Sequence, residues 1–198
     1  MFFEEGYIYH IYNQGNNRQK IFFKQENYFY FLQKIRKYIL PYADILAWCL
    51  MPNHFHLMVL VNKIDINIVS KETGENISRS FNDSIGIMLR SYTNAINKQQ
   101  KRTGKLFREK TKAECINCPK GLIPSFITAN GTTYFTAKIT ERQYPQVCFN
   151  YIHQNPVKAG LVKNAERWEF SSAKDYAGLR HGSLINKDTA KKYVDIKL

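Results

Sequence analysis

Long apolar runs are missing from this chain of 198 residues. None approaches the roughly 20 residues that cross a bilayer. The opening, MFFEEGYIYHIYNQ, has no basic flank leading into an apolar segment, so no signal peptide is expected and the expected location is cytoplasmic. Cysteine is scarce. Cys49, Cys115, Cys118 and Cys148 do not suggest a disulfide framework in such a compartment. Cys115 and Cys118 form a CxxC, but no second pair at matching spacing accompanies it, so it is read as incidental. Internal repeats, low-complexity tracts, a helix-turn-helix and a zinc-finger reader of a major groove are all lacking. Acid is the last shortage: 16 Asp and Glu face 29 Lys and Arg, a formal charge of +13.

That excess is concentrated. KQQKRTGKLFREKTK, 98–112, carries Lys98, Lys101, Arg102, Lys105, Arg108, Lys110 and Lys112 against Glu109 alone. Thr103 and Gly104 in its middle mark a loop. A second loop, NQGNNRQK, adds Arg18 and Lys20. Clustered cations in loops favour a nucleic-acid partner over mere solubility, because Lys and Arg neutralise phosphates.

With 44% hydrophobic residues the chain reads as one domain able to bury a core. YIYHIYNQ is aromatic and β-branched, a first strand. Tyr28, Leu32, Ile35 and Ile39 recur at helical spacing, which predicts an amphipathic helix over 25–40. ADILAWCLM and HFHLMVLV are two strands separated by Pro52-Asn53, an antiparallel hairpin. A polar loop is expected over 62–76. Ile77, Phe81, Ile85, Met88, Leu89, Tyr92 and Ile96 then predict a second amphipathic helix. LFREKTKAECI can hold a fourth strand. FITANGTTYF, 126–135, carries Asn130-Gly131 between β-formers, a hairpin signal. A last helix is expected within 140–156, on the stripe Tyr144, Val147, Cys148, Tyr151 and Ile152. It starts either from a Thr140/Gln143 capping box or at Pro145, and ends at Pro156. Strand–helix–strand–strand–helix–strand is the order of a ferredoxin-like α+β fold, an antiparallel sheet with helices on one face and the other available to a ligand.

The hairpin's second strand raises a chemical question. His54 and His56 are two apart, so both imidazoles project from one face. A lone HxH is more often structural, and Tyr151 on its apolar stripe could be a core tyrosine. Asn155, four residues on, shares the helix face of Tyr151 and sits near the helix C-terminus, where carbonyls favour a cation. Two histidines and a carboxamide oxygen could hold a divalent ion with positions open for phosphate oxygens. A tyrosine hydroxyl one turn away is a known type of covalent nucleophile.

AWCLMPNHFHLMVL with its histidine–hydrophobe–histidine, and YIHQNPVKAGLV at 151–162, are the two segments on which the chain resembles the HUH-type single-tyrosine transposases, in particular their REP-associated branch. YHIYNQGNNRQKIFF, YTNAINKQQKRTGKLFREK and WEFSSAKDY support the resemblance in family order, over most of residues 7–176. It implies a ferredoxin-like fold and metal-dependent cleavage and rejoining of single-stranded or hairpin DNA through a 5′-phosphotyrosine. It carries Tyr151 over as nucleophile and His54 and His56 as metal ligands. Asn155 stands where related insertion-sequence enzymes have a glutamine ligand, with adjacent Gln154 as competitor. Ligand softness alone would allow zinc or manganese; the resemblance implies Mg2+ or Mn2+. Departures are Gln14, where the opening motif often has arginine, a longer segment over 115–139 read as an insertion, and an extension after about 176. A homodimer, with Tyr151 serving either subunit, stays open. One rival is an RRM-type RNA-binding module, which would need an aromatic sheet motif absent from the sequence. Another is a domesticated, non-catalytic nucleic-acid-binding protein of the same fold.

Overall fold

The computed structural model describes residues 1–69, 74–118, 127–129, 132–134 and 144–196. The chain runs through β1 (Ile8–Gln14), α1 (Gln25–Tyr38), β2 (Ala43–Met51), β3 (His54–Val61), β4 (Asp65–Val69), β5 (Asn76–Ser80) and α2 (Phe81–Gln99). It continues through β6 (Lys112–Cys115), β7 (Ile127–Ala129), β8 (Thr132–Tyr134), α3 (Tyr144–Lys158), and the short α4 (Ala173–Tyr176) and α5 (Lys187–Ala190). Four strands make an antiparallel sheet in the order β2-β3-β1-β6. That is the ferredoxin-like order expected from the sequence. Among the described residues no helix is long and apolar enough to cross a membrane.

One sheet face is sealed by α1 and α2. Tyr9 and Ile11 of β1, Phe55, Leu57 and Val59 of β3, and Trp48 and Leu50 of β2 pack there against Phe31, Ile35, Met88 and Tyr92. A bulge between Ile45 and Ala47 shifts the alternation of β2, so Ile45 and Trp48 face this core although three residues apart. The opposite face is only part covered. Cys148, Phe149 and Ile152 of α3 pack on Leu46, Cys49, Met51 and Met58, over the β2 side. The β1–β6 side stays open, and Tyr151 and Asn155 look onto it from the flank of α3.

Several expectations change in detail. The polar loop over 62–76 instead contains β4 and begins β5, a two-stranded ribbon in which Ile68 pairs with Ile77. Ile77 therefore belongs to no helix. Helix α2 starts after Ser80, whose Oγ accepts from the Asp83 backbone N–H at 3.0 Å. Pro156 does not end α3 but lies buried in its last turn, where the hydrogen bond it cannot donate is near the terminus anyway. Gly160, at φ 68°, ends the helix, with the Leu161 N–H donating to the Pro156 carbonyl at 2.9 Å. The buried stripe of α3 runs through Cys148, Phe149, Ile152, His153 and Pro156, while Tyr144, Val147 and Tyr151 flank it. Cys115 and Cys118 are joined by a disulfide, contrary to the reading of the CxxC as incidental. Strands β7 and β8 pair on either side of 130–131; Asn130, Gly131, Thr140 and Gln143 lie outside the described residues, as does most of the expected insertion.

The C-terminal segment closes the edge of the sheet. The Leu50 N–H donates to the Phe170 carbonyl and the Ser172 N–H to the Trp48 carbonyl, so 170–172 runs along β2. The α5 region comes next, with Ala190 and Val194 completing the core under α3.

Candidate active site

The two hairpin histidines are placed by register. Met51 pairs with His54 across the Pro52-Asn53 turn, and on the other side β1 sets Tyr12 opposite His56 and Gln14 opposite His54. The turn is braced from the Gly15 loop, whose N–H donates to the Asn53 carbonyl at 2.8 Å. A Cβ on Gly15 would stand 2.1 Å from the Gln19 carbonyl oxygen, so only glycine permits this approach. His54, His56, Tyr12, Gln14 and Tyr151 line a cleft of ≈ 330 Å³ together with Arg108, Lys110 and Lys112.

The hydrogen bonds decide which ring nitrogens face the cleft. Asn53 donates through Nδ2 to the Arg18 carbonyl, which turns its Oδ1 toward His54 Nδ1 at 2.6 Å. An amide oxygen only accepts, so His54 carries its proton on Nδ1 and its Nε2 bears a lone pair. That lone pair faces Asn155 Oδ1 at 3.5 Å. The Asn155 amide is itself oriented, because Nδ2 donates to the Tyr151 carbonyl at 3.0 Å. Two acceptors thus face one another. His56 contributes a third group, a buried Nε2 with no hydrogen-bond partner. Its Nδ1 lies 2.9 Å from His10 Nε2. Two facing lone pairs without a donor form a suitable environment for a cation, and buried polar atoms such as His56 Nε2 are otherwise rarely left unpaired.

Burial holds these imidazoles in the neutral form that can ligate. Desolvation lowers the His54 pKa, opposed by the Asn155 oxygen, which would accept from Nε2 if the ring gained a second proton. His56 falls well below the ordinary histidine value through desolvation, then through His10 and His54. Among the described residues no three His, Cys, Asp or Glu side chains gather as a metal site. Any ion here would rest on two imidazoles and one amide oxygen, with its remaining positions for water or phosphate. Gln154 is exposed, whereas Asn155 is half-buried.

Tyr151 stands beside this group, its ring edge-on to His56 at 5.4 Å between centroids. Burial raises its phenol pKa, partly offset by the Asn155 side chain, so the phenol is neutral at physiological pH. Lys158 Nζ lies 5.5 Å from the Tyr151 ring centre. Tyr12 is the other phenol in the cleft. It donates to Glu114 at 2.6 Å, and burial with that carboxylate holds its pKa far above the usual value.

The basic residues divide into two groups. Leu106 and Phe107 are buried, and Phe107 packs near Phe31 and Phe55, anchoring the basic loop to the core. The Arg108 N–H donates to the Gln14 carbonyl, which ties residues 108–112 to the end of β1. Arg108, Lys110 and Lys112 consequently rim the cleft. Lys98, Lys101 and Arg102 do not line it, and Lys105 with Arg108 lines a neighbouring cleft of ≈ 310 Å³. Arg18 and Lys20 are exposed beyond the Asn53 end. Sequence reasoning missed His10, Tyr12 and Glu114. The period-2 alternation of β1 and β6 carried the signal for all three, once the register of β1 against β3 and β6 was known.

Neither a family model nor a curated protein sequence matches the chain. Among solved structures, it is similar to a REP-associated tyrosine transposase bound to a REP hairpin, with a TM-score of 0.55 and 17% identity over 95% of this chain and 87% of that one. At that identity the likeness extends to the fold, an antiparallel sheet with packed helices arranged as in that transposase.

Proposed function

We propose that the protein is a metal-dependent single-tyrosine DNA transposase of the HUH, REP-associated kind, cleaving and rejoining single-stranded DNA at or near hairpins. The observation that carries this reading is the lone pair of His54 Nε2 facing Asn155 Oδ1 at 3.5 Å, with the buried, unpartnered His56 Nε2 on the same strand face and the Tyr151 ring beside His56, at a cleft rimmed by Arg108, Lys110 and Lys112. The fold's likeness to a hairpin-bound transposase supports DNA as the partner. Tyr151 lies next to His56 of its own chain, which favours action within one subunit.

In this reading Arg108, Lys110 and Lys112 grip the phosphates of an unpaired strand as it crosses the open side of the sheet. His54, His56 and Asn155 would hold Mg2+ or Mn2+, which when bound polarises the scissile phosphate and fixes its position. Tyr151 Oη attacks phosphorus, and its proton passes through water to the departing 3′ oxygen. The bond to the 3′ oxygen breaks, leaving a 3′-hydroxyl and a 5′-phosphotyrosine. Attack by a 3′-hydroxyl on that ester rejoins a strand and returns the phenol. A flexible single strand can be bent to bring one phosphate in line with the phenol more readily than a stacked duplex can.

The test is cleavage of a hairpin with a single-stranded flank against the same sequence as full duplex, with and without Mg2+ or Mn2+. Metal-dependent cutting of the flanked hairpin is expected, abolished in the His54→Ala/His56→Ala double variant. Equal cutting of the duplex, or undiminished cutting by the double variant, overturns the reading.

A further inference from the structure

His10 is buried, 8% exposed, on a strand face that otherwise belongs to the cleft. Its partner across β1 and β3 is Met58, so it reaches His56 diagonally, with ring centroids 5.1 Å apart and planes 23° from parallel. Tyr12 also stacks on His10, at 4.7 Å between centroids, and Tyr12 is itself fixed by Glu114. The His10 ring therefore has little freedom, and its Nε2 is directed at His56 Nδ1.

We propose that His10 is a positioning residue, holding His56 with its proton on Nδ1 so that Nε2 presents its lone pair to the metal position. This rests on the proposed metal site. One hydrogen bond between two neutral imidazoles contains one proton, and its location has a consequence. If His10 donates, His56 Nδ1 is the acceptor, its Nε2 bears the proton, and it has no lone pair for the cleft. If His56 donates, its Nε2 is bare. Only the second arrangement makes both hairpin histidines ligands, since Asn53 already sets His54 that way. The buried His56 Nε2, which has no hydrogen-bond partner to give a proton to, favours the same arrangement. His10 then accepts through Nε2 and keeps its own proton on Nδ1. Outer partners of this kind fix the ring orientation of ligating histidines, and their loss typically costs 10–100-fold in metal affinity.

Two measurements on the full chain without DNA test this. Mn2+ affinity, read by electron paramagnetic resonance, should fall about 10–100-fold in His10→Phe, which keeps a flat ring but offers no acceptor. His10→Gln, whose Oε1 can accept from Nδ1–H, should recover most of the loss. In the metal-free wild type, the imidazole 15N spectrum should show His56 protonated on Nδ1, a readout that needs no variant to fold. Unchanged affinity in His10→Phe, or His56 found protonated on Nε2, overturns the proposal. A wild type that binds no Mn2+ overturns it together with the metal part of the proposed function. Mn2+ binding that depends on His10 without any DNA cleavage sinks only the transposase reading.

Discussion

His54 and Phe55 are neighbours in sequence and lie on opposite sides of one sheet. Phe55 is sealed between sheet and helices, touching Phe31 and Phe107. His54 stands at the rim of the cleft, with an oxygen acceptor on either side of its ring. The same alternation separates Ile11 from Tyr12 and Leu57 from His56 on β1 and β3. The strands therefore serve two purposes without interference. The helix-covered face supplies cohesion, and that rigidity lets the other face keep polar atoms in positions that are costly unless something binds them.

Mutating the two faces should separate these purposes most clearly. Phe55→Ala removes a fully buried ring and should cost about 3–5 kcal/mol of stability. His54→Ala, at the half-exposed rim, should cost well under that while removing metal-dependent cleavage. Chemical denaturation alongside a nicking assay measures both. Comparable destabilisation by the two variants would break the division between the faces.

Acid should expose a second contrast. His10 and His153 are pushed down to about 3 by burial, and His56 is lowered well below its ordinary value. The unfolded chain binds protons at these sites near pH 6.5 while the folded chain does not, so stability falls as the pH drops below that point. Between pH 8 and 5.5 each such histidine should contribute a loss of about 1.4 kcal/mol. His153 packs under α3, bonded to Ser172 and outside the cleft. His153→Gln should therefore remove about 1.4 kcal/mol of that acid sensitivity and leave metal affinity at pH 7.5 unchanged. Denaturant midpoints at both pH values, with Mn2+ binding, are the check.

The smallest effects distinguish the two groups of cations. Replacing Arg108, Lys110 and Lys112 by Ala should lower the salt slope of single-strand binding by about 2, at roughly 0.7 per phosphate contact. Replacing Lys98, Lys101 and Arg102 should change it by less than about 1. Fluorescence anisotropy across a salt series measures both. Equal slopes for the two triple variants would mean that the strand does not run along the cleft.

Much of this arrangement was legible in the chain itself. Aromatic, β-branched and apolar runs marked the first three sheet strands and left room for a fourth, the 3.6 period located both core helices, and the shared face of His54 and His56 follows from alternation alone. Helix spacing put Tyr151 and Asn155 on one face. What could not be read was register. His10 meets His56 only because Met58 falls opposite it, a consequence of where β1 slides along β3. The division of the basic residues had the same source: Phe107 buries in the core and Arg108 is tied to Gln14, long-range contacts with no local signature. The ribbon of β4 and β5 was missed because it is mostly exposed. Its residues carry no buried stripe, and the chance placement of Ile77 four residues before Phe81 extended the helical period too far.

The central claim is that Tyr151, positioned beside two neutral histidines, becomes covalently joined to DNA. Its most direct test is to incubate the protein with Mn2+ and a flanked hairpin oligonucleotide, digest it, and map any nucleotide-bearing peptide by mass spectrometry. The account predicts a 5′-phosphate ester on Tyr151, absent from Tyr151→Phe, which retains DNA binding. An adduct on Tyr12, the other phenol in the cleft, or a cleaved strand with no protein attached at all, would contradict it.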